Sequence, residues 1–326
     1  MQVPNLIRVA IFLIASALPA MSFSQSISQD EKTAAIKSIA SHIATNYVYP
    51  EKAGQIASHI QMANHRGDFN KATSWQEFNT MVTASLRDFS NDAHLYVKYD
   101  PAQAAKLKAN TKDTNRMYVG SQEENGSETA ENNYGFAETK ILPSNVGYIK
   151  LTEIDVSKNS LPVLYDAMRK IENTDALIID LRNNTGGSSE VGAVLESYFL
   201  PEGTPLLEFN SRKGTVSTIS TVNWLKEKKY TKPVYIIVNK RTASAAEALA
   251  FVLQQHKRAK IVGERSSGAA YMNEWFAINE HSYVSVSTSS PNIPGTEKTW
   301  QETGVQPDMK VKNGDPVAVV MSRIKQ

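Results

Sequence analysis

KPVYIIVNKRTASAAEALAFVLQQH, residues 232–256, is the stretch on which the fold turns. After Pro233 the run Val234-Tyr235-Ile236-Ile237-Val238 is short, apolar, β-branched and aromatic, which predicts a fully buried strand. Residues 245–255 are rich in Ala, Leu and Glu and predict a helix. Thr242-Ala243-Ser244 lies between them, so Ser244 stands at a strand-to-helix turn. A hydroxyl there meets free backbone N–H groups and the positive end of the helix dipole. That suits a serine nucleophile, because the N–H of Ala245 can catch the oxyanion formed on attack. The same place also suits a plain helix N-cap, the commonest job of Ser at a helix start.

Upstream, residues 176–180 form a second buried apolar run, followed by Leu181-Arg182-Asn183-Asn184-Thr185-Gly186-Gly187 and a helix over 189–199. Two glycines past a strand and opening a helix let backbone N–H groups approach a ligand closely, although a tight turn explains them equally well. Strands are also expected over 136–141 and 146–151, a helix over 160–171, a strand at 261–262, and alternating strands around 274–278 and 283–287. Strands alternating with helices predict an α/β core with crossover connections, whose ligands bind at the carboxyl ends of the strands. The Gly186-Gly187 turn and Ser244 both follow such ends. Either glycine is a candidate second oxyanion donor beside Ala245.

Before the core, residues 32–47, 51–64 and 74–89 carry apolar side chains at helical spacing, broken at Tyr49-Pro50 and Gly67-Asp68. They predict a small N-terminal helical domain. Ser90-Asn91-Asp92 ends the pattern and residues 93–97 begin an extended run, which places His94 at a loop-to-strand junction. Residues 101–133 are polar, and 121–133 have the composition of an exposed loop. No compact peptide-binding module fits between Tyr99 and Tyr134.

The 326 residues, 41% hydrophobic and 21% charged, have the balance of an ordinary globular protein. A net charge of +2 without a basic tract argues against a nucleic-acid partner. Residues 1–25 combine a positive charge, a compact apolar run and small residues at Ser22 and Ser24, the pattern of a secretory signal peptide cleaved near Ser24–Gln25. The remaining chain offers no membrane span, and the absence of Cys excludes disulfides. The expected product is exported, periplasmic or extracellular. None of the six histidines shows metal-ligand spacing with another.

The segments DALIIDLRNNTGG, VNKRTASAAEALA, VGERSSGAA and WQETGVQPD, in this order and spacing, resemble the C-terminal processing (tail-specific) serine peptidase family. The resemblance implies a ClpP/crotonase-like αββ core, α/β (α+β) in class, over residues 93–326, behind a helical domain at 26–92. It implies Ser244 as nucleophile, and Gly186, Gly187 and Ala245 as the oxyanion hole. In the processing-peptidase branch a Lys base follows the Gly of the VGE motif, but here Ala269 fills that position and cannot take a proton. Asp92-Ala93-His94 and residues 133–151 instead resemble the branch of the tricorn core and the interphotoreceptor retinoid-binding protein repeats. That branch implies His94 as the general base. Its Ser before the His is Ala93 here, and its acidic position falls on Gln301 or Glu302, so Glu302 is the third candidate. The implied activity is endopeptidase hydrolysis of proteins or peptides without metal or organic cofactor. The rival expectation is a non-catalytic carrier of a hydrophobic ligand such as a lipid or retinoid.

Overall fold

The computed structural model describes residues 26–109, 131–189 and 191–324; the expected signal peptide and most of the 121–133 loop lie outside them. Three helices open the chain, α1 (Gln29–Asn46), α2 (Pro50–His65) and α3 (Trp75–Ser90). Ser28 and Ser74 cap the first and third with side-chain oxygens that accept from Glu31 N and Glu77 N. Pro50 begins the second, where its missing N–H is harmless. The helix α4 (Pro101–Ala109) follows the strand β1 (Tyr96–Tyr99), within a stretch whose polar composition concealed it.

The core begins with β2 (Phe136–Leu142), β3 (Val146–Leu151) and β4 (Ile154–Val156), then α5 (Leu161–Ile171), β5 (Ala176–Asp180) and β6 (Gly187–Ser189). A short helix α6 (Val194–Ser197), a hairpin of β7 (Pro205–Ser211) and β8 (Gly214–Ser220), and the decisive pair β9 (Val234–Val238) and α7 (Ala245–Gln255) continue it. The chain then forms β10 (Ala259–Gly263), β11 (Met272–Ala277), β12 (Ser282–Asn292), β13 (Met309–Lys310) and α8 (Pro316–Ile324).

A six-stranded sheet, in the order β13-β10-β9-β5-β3-β2, is parallel except for β2 at its edge. Leu177 and Ile179 of β5 join one apolar cluster and Ala176 and Ile178 another, so the strand is buried on both faces. The first cluster is covered by α5 and α7, the second by α8. A second sheet runs β1-β12-β7-β8, with β11 also paired to β12. The helices α1–α3 close their apolar faces on this sheet: Ile39, Ile60, Phe78 and Leu86 share one cluster with Val97, Tyr271, Val284 and Val286.

One expected element changes character. Residues 189–199 do not form a continuous helix; Gly187–Ser189 pair in parallel with Ile154–Val156, and helix is confined to Val194–Ser197. Gly187, at φ +135, takes an extended path that leads into a strand, not into a helical turn.

Candidate active site

Ser244 begins α7 directly after β9 and the turn 239–243. That turn is stitched to the neighbouring turn after β5. Thr242 Oγ1 donates to Leu181 O at 2.8 Å, and Ala243 N donates to Asn184 O at 2.9 Å. Held this way, Ser244 takes φ 53 and ψ −124. An ordinary N-cap lies in the β region, and a side-chain-bearing residue in such a sparsely populated region costs about 1–3 kcal/mol. Capping alone does not account for this geometry. It sets a hydroxyl at a sharp strand-to-helix bend, as a nucleophile requires.

The glycine turn lies against this bend. Gly186 N donates to Asn184 Oδ1 at 2.9 Å, and Gly186 O accepts from Ile154 N at 2.8 Å. Asn184 is itself buried and anchored through Nδ2 to Leu151 O at 3.1 Å. The register pairs Gly187 with Ile154, and in a parallel ladder that uses the carbonyl before Gly187 and the N–H after it. The Gly187 N–H is therefore left out of the ladder while that of Gly186 is occupied. Of the two glycines left open by the sequence, Gly187 has the available donor. Ala245 N opens the helix beside it, one of the four N–H groups without an intrahelical acceptor.

His94 reaches the site from the helical layer. The helix α3 stops at Asn91, in the left-handed conformation, and the chain turns through buried Asp92 into β1. Asp92 accepts from Tyr47 Oη at 3.1 Å, Ser287 Oγ at 2.7 Å and His94 N at 2.9 Å. Ser285 Oγ holds the His94 carbonyl at 2.6 Å. The backbone of His94 is thus fixed from β12 and from the end of α1, but its ring is not: Nδ1 is buried without a hydrogen-bond partner. Burial holds the imidazole below its ordinary value of 6.5, partly opposed by Asp92 and assisted by Arg87, so the neutral form dominates near neutral pH.

The remaining candidates separate. Glu302 is exposed and pairs with Lys52 at 2.9 Å. Gln301 turns inward instead, where Oε1 accepts from Ala270 N at 2.8 Å and Tyr271 N at 3.2 Å. Of the two residues, the buried one is thus a neutral amide. Ala269 is buried, and its N–H donates to Glu247 Oε2 at 2.9 Å. Glu247 accepts from Ser244 N as well, at 3.0 Å, and from Ser266 Oγ and Gly268 N at 2.5 and 2.6 Å. Burial raises its carboxyl above the usual range, against the pull of those four donors. These contacts tie the start of α7 to the 266–269 loop. Arg182 is structural too, held on buried Asp180 at 2.5 Å.

Ser244, His94, Gly187 and Ala245 line one cavity of about 600 Å³. Most of its wall is apolar, from α7, the β7–β8 hairpin and Trp300. Among the described residues, no group of three or more His, Asp or Glu side chains could hold a metal ion, and no helix is long and apolar enough to cross a membrane.

The profile of peptidase family S41 matches residues 145–311, just over half of the chain. That of the N-terminal domain of peptidase S41 in eukaryotic IRBP matches residues 17–134. A carboxyl-terminal-processing protease of Synechocystis is 32% identical over 170 residues, covering 52% of this chain and 38% of its own length. The chain spans less than half the length of the curated relatives it matches. In structure it resembles a lipoprotein from Streptococcus agalactiae (TM-score 0.57, 18% identity, 90% and 96% of the two chains covered). It also resembles a photosystem II D1 C-terminal processing protease (TM-score 0.53, 17% identity, 86% and 93% covered).

Proposed function

The chain belongs to peptidase family S41, and on that footing we propose that it is an exported serine endopeptidase acting on proteins or peptides. One observation carries the reading: a strained Ser244 at a strand-to-helix bend shares a cavity with His94 and adjoins the unpaired N–H groups of Gly187 and Ala245. In this mechanism Ser244 Oγ attacks the scissile carbonyl and His94 accepts its proton. The N–H groups of Gly187 and Ala245 stabilise the oxyanion of the tetrahedral intermediate, a contribution worth about 3 kcal/mol per donor in comparable sites. His94 then protonates the leaving amine, and a water activated by the same imidazole releases the acyl-enzyme. Among the described residues no carboxylate holds Nδ1 of the ring. The catalytic unit is a Ser–His pair, with slower turnover than a complete triad supports.

The export and the division into a helical domain over 26–92 and a core over 93–326 belong to the same reading. The helical layer supplies the base, the core supplies nucleophile and oxyanion donors, and the cleft lies where they meet.

A second reading, a carrier for a hydrophobic ligand, draws support from the apolar cavity wall. Incubating the chain with an unfolded protein or a peptide library, beside Ser244→Ala and His94→Ala, decides between them. Cleavage abolished by both substitutions, with a fluorophosphonate label on wild type but not on Ser244→Ala, supports the peptidase. An inert, unlabelled wild type that extracts lipid overturns it.

A further inference from the structure

The cavity beside Ser244 is lined by one carboxylate to which no other described residue donates. Ala248, Leu249 and Val252 of α7 and Leu206 and Ile219 of the β7–β8 hairpin form an apolar wall, and Glu196 of α6 lines the same space. The other acidic groups in and around the site have partners. Asp92 has three donors, Glu247 has four, and Glu274, also on the cavity wall, accepts from Thr288 Oγ1 at 3.1 Å. Glu196 receives no hydrogen bond or ion pair from another described residue; only its own backbone N–H acts on it. No Lys or Arg is among the described residues lining the cavity. Burial accordingly pushes the Glu196 carboxyl up, as for an acid without a counter-charge.

We propose that Glu196 sets substrate specificity, admitting beside the scissile bond a side chain with a long aliphatic stem and a cationic head, a lysine or arginine. The inference rests on the peptidase reading of the same site. The stem packs along the Leu and Val wall while the head completes the empty acceptors of Glu196, the division of labour that long basic side chains favour.

The test compares peptides that differ at one position, lysine against norleucine, which keeps the stem and deletes the charge. With wild type, kcat/KM for lysine exceeds that for norleucine by about ten-fold or more, the low end of what a charge-assisted hydrogen bond supplies. In Glu196→Gln the ratio falls to about one, and in Glu196→Lys a glutamate peptide overtakes the lysine peptide. A wild-type ratio near one, or a ratio unchanged in Glu196→Gln, overturns the assignment. Fluorescence anisotropy of the same peptides on Ser244→Ala reads the preference without chemistry. If wild type cleaves without preference, the specificity assignment falls and the peptidase stands. If wild type is inert but Ser244→Ala binds the lysine peptide about ten-fold more tightly, the assignment stands and the peptidase reading falls.

Discussion

Gly186 and Ser244 meet backbone to backbone: a Cβ at Gly186 would lie 2.7 Å from the Ser244 Cβ and 3.1 Å from Ala245 N. Gly186 also holds φ +109, which L side chains rarely adopt. Gly186→Ala therefore distorts the bend and strains its own backbone together. We expect a loss of about 2–4 kcal/mol in urea unfolding and a fall in turnover of about 100-fold or more. An alanine variant with unchanged stability would mean that the two turns separate easily.

The pH dependence of turnover follows from His94. The base works only when neutral, and its value in the folded chain lies below 6.5 because it is buried. Activity is then full at neutral pH and falls on acidification, with the midpoint of kcat/KM below 6.5. A midpoint at or above that value removes His94 from the role. Stability shifts in the same direction. The unfolded chain binds the proton more readily than the folded one, so lowering the pH through 6.5 weakens the fold.

Removing the carboxylate of Glu247 orphans four donors at once, three of them in buried contacts. Each unsatisfied buried group costs about 1–3 kcal/mol before relaxation, so Glu247→Ala should lose about 3 kcal/mol or more by denaturant titration. Glu247→Gln keeps the shape but turns an NH2 towards N–H donors, and should recover only part of that loss. Retention of full stability in the alanine variant would show that water replaces the carboxylate.

Asp92 acts on the site through the His94 backbone. Asp92→Asn keeps two acceptor lone pairs where three donors now converge and should lower kcat several-fold with little change in KM. Asp92→Ala leaves Tyr47 and Ser287 buried and unpaired, and should cost about 2–4 kcal/mol. A change confined to KM would indicate that Asp92 shapes the substrate cleft and not the base.

Much of this was legible in the residues because periodicity and burial agree. The five-residue run at Val234–Val238 and the Ala-rich helix after Ser244 lie where pattern alone predicts them, as do the first three helices to within a few positions. The stretch after Gly187 was misread because Val191, Val194 and Leu195 look helical in sequence, whereas pairing with β4 is set by residues 33 positions earlier. The β7–β8 hairpin escaped notice for a similar reason: Thr and Ser on β8 carry little hydrophobic alternation. At the site, the choice between the two glycines depended on a side chain, Asn184, whose amide takes one N–H and leaves the other. Gln301 and Glu302 differ by a one-residue offset that pattern leaves open; in the fold Gln301 accepts from Ala270 N and Tyr271 N while Glu302 pairs with Lys52.

The apolar cluster that α1–α3 share with β11 and β12 bears on when such a chain becomes dangerous to its surroundings. The proposed base is made early in synthesis and the proposed nucleophile 150 residues later, yet Ser285 and Ser287, which brace the base, come later still. A growing chain that already contains both reacting groups has no frame to bring them together. On the peptidase reading, the site is therefore complete only once β12 is in place, well after both reacting groups have been made.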